Sequence, residues 1–589
     1  MEILKVFFFG IRFDYSAIIQ YNLLFLLLYL FPFNFIHYKK YKQVVGFLFY
    51  FVNFFLILLN LIDLEYFKYT GKRSTADIFS FIFMNNDVLT LLPQFLKDFW
   101  YIVLCWLGFI FLGVYFMKRV PFRKPESFQF TFIQWIGAAL LFILVPGALF
   151  IGARGTGLKP IRLISAARYT YSQNIPLLLN TPFSILHTLN NEEFKLKTYL
   201  NPGELDKIYS PEKQTGTNMI TRRDNVVIII LESFSKEFIG SLNGKSGYTP
   251  FLDSIIHHSL TFENAFANGK QSIQALPAIF ASLPGLMDNP YISSRFSSNQ
   301  LEALPSILGA NGYHTSFFHG GRNGTMGFDE FCNIAGIKHY YGLNEYEGPT
   351  AFDGNWGIYD EPFLQFYAKK LNSFPQPFFS SVFTLSSHHP YNIPEKYIKI
   401  LHASNQQLTS IRYADYALSK FFNAISKMPW FKNTLFVFVA DHTAKEQTAI
   451  YGTRAGIYRI PIIFYHPGDS LLKGINPNVA QQADIMPSIL DYLGITTRYF
   501  AFGRSVFSKE TGFSINFASG IYQYFEGDYM LTFDGERSTS LNNILIDKYL
   551  KINILNDSLT LASAMALKTK AIIQQFTSRV LNNKLYNKN

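Results

Sequence analysis

The sequence predicts an α/β domain carried behind a helical membrane part. Two strand signatures and a set of long apolar segments predict it. The first signature is Asn225-Val-Val-Ile-Ile-Ile-Leu-Glu232-Ser-Phe, an apolar run that ends abruptly on a carboxylate. The second is Leu435-Phe-Val-Phe-Val-Ala-Asp441-His442. Runs of this kind read as strands buried on both faces of a parallel sheet. In open α/β sheets, functional groups collect beyond the carboxyl ends of the strands. The two strands therefore raise three metal-ligand side chains, Glu232, Asp441 and His442, to the rim. An acid closing a strand also serves as a helix N-cap. For either run alone the two readings balance; the pair together favours a site.

A chain of 589 residues exceeds one ordinary domain, and its content of 49% hydrophobic and 17% aromatic residues is high for a wholly soluble protein. The net charge of +11 does not point to nucleic acid. Many basic residues sit in short clusters beside apolar spans, His37-Tyr-Lys-Lys-Tyr-Lys42 and Lys118-Arg-Val-Pro-Phe-Arg-Lys124, and read as topology signals. Cys105 and Cys332 are the only cysteines, which leaves neither a disulfide framework nor a cysteine metal site.

Residues 1–155 are read as the membrane part. Four segments, 16–36, 44–64, 99–117 and 129–151, approach the roughly 20 residues that a bilayer crossing needs. Placing both basic loops in the cytoplasm leaves everything after residue 155 on the extracytoplasmic side. The opening Met1 to Gly10 is too short to span and lacks a signal-peptide cleavage site, and is read as the tail end of a missing first helix.

Residues 156–222 lack a sustained helical period and read as a juxtamembrane connector with short helices. Residues 223–515 follow as the catalytic domain. Within it, Asn268-Gly-Lys-Gln-Ser272 feeds an apolar run, so Ser272 stands at a helix N-terminus, where an anion is favoured. Ser272 is there either an N-cap or a nucleophile. His319-Gly-Gly-Arg322-Asn-Gly is expected to form a flexible loop over the site, with His319 and Arg322 near an anionic group. A solvated surface Arg322 is the equal alternative. Tyr413 and Asp415 are assigned to packing, and Asp484 to a cap of the helix that Gly494 ends. Residues 516–589 are read as a small subdomain of short strands, then a polar helix and a solvated tail.

Strand–Glu232, Asn-Gly-Lys-Gln-Ser272, Thr384-Leu-Ser-Ser-His388-His-Pro-Tyr and Ala440-Asp441-His442, with the connector motif Asn180-Thr-Pro-Phe-Ser, together resemble the lipoteichoic acid synthase group of the sulfatase and alkaline phosphatase superfamily. The resemblance implies one divalent metal, typically Mn2+ with Mg2+ or Zn2+ as alternatives, held by Glu232, Ser272, Asp441 and His442. It puts Ser272 where the family usually has a threonine nucleophile, and His388 at the transferred group. It further implies a phospholipid head-group donor and a glycan or lipid acceptor outside the cytoplasm. In one respect the chain departs from the family. Those synthases follow the His-Gly pair with a Trp and, two residues on, an Arg that grips phosphoglycerol; counted from His319, those places hold Met326 and Phe328.

The chemistry of the residues agrees. A serine hydroxyl is a poor nucleophile at neutral pH, and no G-x-S-x-G elbow surrounds Ser272. A coordinated cation supplies the missing activation, and carboxylates with one imidazole suit manganese or magnesium. A formylglycine sulfatase needs Cys or Ser followed by x-Pro-x-Arg, whereas Ser272 is followed by Ile-Gln-Ala. The expected protein is therefore a membrane phosphotransferase working through Ser272. A phosphodiesterase or sulfatase-type hydrolase is the alternative, and a non-catalytic scaffold is disfavoured because every ligand is present.

Overall fold

The computed structural model describes residues 2–31, 36, 38–70, 73–76, 96–97, 99–119, 131–155, 160–170, 175–189, 194–215, 221–244, 247–287, 289–518 and 520–587. The chain divides into two compact units, 1–193 and 194–589. The expected connector is split by that division: its described residues 160–189 belong to the first unit and 194–215 to the second.

The first unit carries four long helices, α1 (Glu2–Leu30), α2 (Lys39–Thr70), α3 (Trp100–Arg119) and α4 (Phe132–Arg154). Each is long and apolar enough to cross a membrane. The opening residues are not a separate remnant, as expected above, but the first turns of α1, because nothing between Glu2 and Leu30 interrupts a helix and Gly10 alone is tolerated. Most of the basic cluster at 118–124 lies outside the described residues. Small polar contacts join the helices: Ser16 Oγ donates to the Ala153 carbonyl at 2.8 Å, and Asn22 and Asn53 exchange side-chain hydrogen bonds. The motif at Asn180 also belongs to this unit. Asn180 caps the helix Thr181–Leu186 by accepting from the Phe183 N–H at 2.8 Å, with Pro182 in the first turn, where its missing N–H costs nothing. Thr181 Oγ1 donates at 2.7 Å to the buried carboxylate of Asp63 on α2, which also pairs with Arg73 at 3.2 Å.

The second unit is built on an eight-stranded sheet. Its strands are β1 (Asn225–Leu231), β2 (Leu260–Phe266), β3 (His314–His319), β4 (His339–Tyr341), β5 (Phe378–Phe383), β6 (Thr434–Ala440), β7 (Ile462–Tyr465) and β8 (Gly474–Gln481). The spatial order is β4-β3-β5-β1-β6-β7-β2-β8. All pairings are parallel except those of β7, which runs antiparallel to β6 and β2. Every residue of β1, β5 and β6 is buried, which explains why β1 and β6 read as apolar runs, while β5 carries two buried serines, of which Ser380 accepts from the Ser316 hydroxyl at 2.8 Å. Burying one such Val, Ile or Phe stabilises the fold by about 1.5–3 kcal/mol.

Helix α5 (Ser272–Ala281) follows β2, and α6 (Gln406–Ile425) precedes β6. Asp415 on α6 is more than packing. Its carboxylate accepts from the backbone N–H groups of Phe251 and Leu252 at 2.9 and 3.0 Å, and so caps the helix Pro250–Ile256 from a neighbouring element. Asp484 does act at a helix start: its Oδ2 accepts from the Gln481 N–H at 3.1 Å and its Oδ1 from the Arg504 N–H at 2.9 Å.

Beyond the main sheet, β9 (Phe513–Ala518), β10 (Ile521–Glu526), β11 (Tyr529–Phe533) and β12 (Ser538–Asn543) form an antiparallel four-stranded sheet in sequence order. The last helix, α7 (Leu559–Leu581), is not the start of a solvated tail. Ala562, Met565, Ile572, Phe576 and Val580 form a buried stripe at helical spacing. Gln574 on the same helix pins residues 199–200 through its amide, accepting from Tyr199 N–H at 2.7 Å and donating to the Leu200 carbonyl at 2.8 Å.

Candidate active site

Register places the two principal acids side by side. Leu231 pairs with Ala440 at the ends of β1 and β6, so Glu232 and Asp441 leave the sheet together. The Asp441 N–H donates to the Leu231 carbonyl at 3.1 Å, which continues the ladder one step. The neighbouring backbone then turns sharply: Ser233 has φ of 56°, a conformation costly for a side-chain-bearing residue. It is held there from both sides. Its N–H donates to Asp441 Oδ1 at 2.7 Å and its hydroxyl to Glu232 Oε1 at 2.6 Å.

Ser272 opens α5, with Gln271 as the capping residue. Its hydroxyl is therefore free of capping duty, and lies 3.3 Å from Glu232 Oε2 and 3.3 Å from His442 Nε2. The loop before it is fixed by Asn268, whose buried amide donates to Gln481 Oε1 at 2.7 Å and to the Ile515 carbonyl at 2.8 Å while accepting from the Ala483 N–H.

His442 Nδ1 faces the Thr443 carbonyl at 2.9 Å and so carries the ring proton. The lone pair of Nε2 then points inward, 3.2 Å from Asp441 Oδ2 and 4.0 Å from Glu232 Oε1. Asp441 Oδ2 is buried and accepts no hydrogen bond. Glu232 is 1% exposed, and its carboxyl is held well above the usual carboxylate range, first by burial and then by the charge of Asp441. Two facing carboxylates, one orphaned oxygen and one inward imidazole nitrogen, all within 4.8 Å, are a donor set that a divalent cation satisfies. Glu232, Asp441, His442 and the Ser272 hydroxyl would hold it, and the chemistry it supplies is Lewis-acid stabilisation of negative charge on oxygen.

Supporting contacts that the sequence reading missed come from three other segments. The Glu232 N–H donates to Thr384 Oγ1 at 3.0 Å, and Ser387 Oγ donates to the Glu232 carbonyl at 2.6 Å. Gln482 Nε2 bridges the carbonyls of Ala440 and Asp441 at 2.8 and 2.7 Å. Asp360 accepts from the N–H groups of Leu385 and Ser386, anchoring the segment that leads to His388. No periodicity marks such residues in a sequence. Tyr391, also with positive φ, has its hydroxyl pKa raised by burial and then by the charge of Glu232.

His388 follows Ser387 directly and is half-buried. Its ring lies edge-on to Trp356, with centroids 4.3 Å apart, and Trp356 Nε1 donates to the His389 carbonyl at 2.7 Å. His319 is not brought to an open edge. It has no exposed surface, neither ring nitrogen has a hydrogen-bond partner, and its ring lies edge-on to Phe328 and Phe383. Burial pushes its pKa down to about 4, so it is neutral. Arg322 is exposed, with its guanidinium 5.3 Å from the centroid of the Phe352 ring. The glycine stretch beside it is tied down: Ile358 donates to the Gly320 carbonyl and Leu343 to the Gly321 carbonyl, both at 3.0 Å. Glycine is needed where this stretch meets residue 357, since a Cβ on Gly357 would sit 2.3 Å from the Gly320 carbonyl oxygen. The structure thus unites Glu232, Ser272, Asp441 and His442, and leaves His319 and Arg322 outside that group.

Residues 224–495 match the Sulfatase family. A protein of the alkaline phosphatase superfamily from Vibrio parahaemolyticus has the same fold, with a TM-score of 0.59 at 22% identity over 67% of this chain and 99% of that one. The lipoteichoic acid synthase LtaP of Listeria monocytogenes gives 0.55 at 21% identity over 65% of this chain and 99% of its own. Residues 224–495 thus match a sulfatase-family domain, and its fold is shared with these two solved structures. Among curated proteins, the chain is 27% identical over 368 residues to the lipoteichoic acid synthase-like YvgJ of Bacillus subtilis, covering 58% of each. It is 28% identical to lipoteichoic acid synthase 1 of the same organism, over 55% of this chain and 52% of that one. The lipoteichoic acid synthase of Staphylococcus aureus is 27% identical over 61% of this chain and 59% of its own length. The chain is thus lipoteichoic acid synthase-like and carries a sulfatase-family domain, and it spans little more than half the length of these relatives.

Proposed function

We propose that the protein is a membrane phosphotransferase that moves a phospho-head group from a lipid to an extracytoplasmic acceptor through Ser272. The observation that carries the reading is the convergence of the Ser272 hydroxyl, relieved of capping, on Glu232 and His442 beside the orphaned Asp441 Oδ2. In this reading the Ser272 oxygen attacks the lipid phosphorus, and the diacylglycerol oxygen leaves. A second attack, by the acceptor hydroxyl on the same phosphorus, returns the serine. Glu232, Asp441, His442 and the Ser272 hydroxyl would hold a divalent cation, most suitably Mn2+, and it would supply Lewis-acid stabilisation of negative charge on oxygen. His388, kept in place by Trp356, contacts the transferred group, and Arg322 is available to its anionic oxygens.

The donor is read differently from that of the synthases. Phe328, at the place of the family's clamping arginine, is fully buried against Phe317, His319 and Phe383. Met326 is half-buried with φ of 53°. Neither side chain replaces a bidentate guanidinium. The head group is therefore bound by its phosphate, and glycerol is not selected as in the relatives.

The test is to incubate the full-length protein with Mn2+ and phospholipids labelled in the head group. Label should accumulate on wild-type protein and on an acceptor, and stay on the lipid with Ser272→Ala. Release of the label to water alone would replace transferase by hydrolase; labelled Ser272→Ala protein would remove Ser272 from the reaction.

A further inference from the structure

A cavity of about 700 Å³ lies between the segment after Glu232, the loop after His442 and the turn after β12. Its walls include Lys236, Tyr248, Tyr451, Arg459, Lys548 and Tyr549. None of Glu232, Ser272, Asp441, His442 or His388 lines it.

The cations in its wall are poorly compensated. Lys236 is 6% exposed, and its ammonium donates to a neutral acceptor, the Glu263 carbonyl, at 2.5 Å. Arg459 Nη1 donates to another neutral acceptor, the Asn264 amide oxygen, at 3.2 Å, and its guanidinium lies 5.5 Å from the centroid of the Phe266 ring. Among the described residues neither cation forms an ion pair. Two acids also line the cavity. Glu237 is engaged by the Gln447 N–H at 3.1 Å and the Thr448 hydroxyl at 3.2 Å, and the Glu263 side chain is exposed. Burial pushes the Lys236 ammonium down to about 8, with repulsion from Arg459 next; the opposing pull of Glu263 follows, and repulsion from Lys548 comes last.

Two buried cations that share one wall and hydrogen-bond only to neutral acceptors destabilise the empty cavity, and an anion that enters beside them relieves the repulsion. A guanidinium fork beside an ammonium matches the tetrahedral oxygens of a phosphate, and tyrosine hydroxyls suit a polyol attached to it. We propose that this cavity is a second binding site for a phosphate-bearing ligand, held by Lys236 and Arg459 with Lys548 as a third cation. It does not rest on Ser272 being a nucleophile.

The test is thermal unfolding of the full chain in detergent, with chelator present, against inorganic phosphate, glycerol phosphate and short-chain phosphatidylglycerol. At least one probe should raise Tm saturably. Lys236→Met and Arg459→Gln should each weaken its apparent affinity about tenfold, the size of one lost charge-assisted contact. Without ligand, both variants should melt at or above the wild-type Tm, because a repulsion has been removed; a purely structural role would lower it. Should either fail to fold, the exposed Lys548→Met carries the same test with a smaller loss. Ser272→Ala should respond like wild type. A response confined to phosphatidylglycerol assigns a lipid head group, and one to glycerol phosphate a soluble polyol phosphate. No saturable shift with any probe, or a shift unchanged in the folded cation variants, overturns the proposal.

Discussion

The Ser272 hydroxyl contacts only the cluster it faces, since Ser272 is the first residue of its helix and Gln271 holds the N-cap position. Ser272→Ala should therefore leave the melting temperature unchanged within about 0.5 kcal/mol of stability, while turnover falls by on the order of 10³-fold or more. Single-turnover assays with labelled lipid, beside thermal melts, check both halves. The ligands should separate from the substrate contact in the same way. Asp441→Asn and Glu232→Gln each withdraw one charge from the donor set, and should weaken Mn2+ binding by about tenfold or more. His388→Ala should leave bound manganese unchanged, because its Nδ1 faces the His389 carbonyl and its ring packs on Trp356. Elemental analysis of the purified variants decides this, and equal metal loss in all three would make His388 a ligand.

At the scale of single elements, the cap that Asp415 supplies to Pro250–Ile256 makes a pH prediction. Burial raises its carboxyl to about 7, against the opposing pull of its two backbone hydrogen bonds. A carboxyl whose folded pKa lies above its unfolded value binds its proton more tightly when folded. Its stability contribution is complete below about pH 4 and is lost as pH rises through about 7. Asp415→Asn removes that titration, so the wild type should lose stability relative to the variant by about 1 kcal/mol or more between pH 5 and pH 8. Denaturation of both proteins at the two pH values measures it, and a constant difference would refute the buried titration. Strands β1 and β6 were legible because a strand buried on both faces is apolar along nearly its whole length; β5 was not, because Ser380 and Ser381 interrupt its apolar run. The role of Asp415 was not, because its partners are backbone groups some 160 positions away, and a backbone N–H carries no mark in a sequence.

For the whole molecule, the basic clusters at 37–42 and 118–124 predict cytoplasmic loops, and hence a catalytic unit outside. With Cys105 and Cys332 replaced, single cysteines introduced at residues 121 and 395 should react oppositely with a membrane-impermeant thiol reagent added outside. Residue 395 should label and 121 should not; the reverse would invert the topology. The loss of the arginine clamp gives a second test at this scale. In cells deprived of their own synthase, the protein should not build long polyglycerolphosphate, whereas normal polymer would show that another residue, with Arg322 first, reads the glycerol.

The sequence by itself determined the α/β class, the four long apolar helices, and the placement of Glu232, Asp441 and His442 just beyond the ends of two buried strands, because burial and chain length constrain residue type directly. It also named Ser272, but left open whether its hydroxyl caps a helix or faces a site. Tertiary structure decided that question, through the register that sets Leu231 against Ala440 and the loop that Asn268 pins across to Gln481 and Ile515. It also enclosed His319 among phenyl rings, tied the glycine stretch to residues 343 and 358, and folded the C-terminal helix against the core. Each depends on which surfaces meet across long separations in the chain, and periodicity along one segment carries no information about its partner.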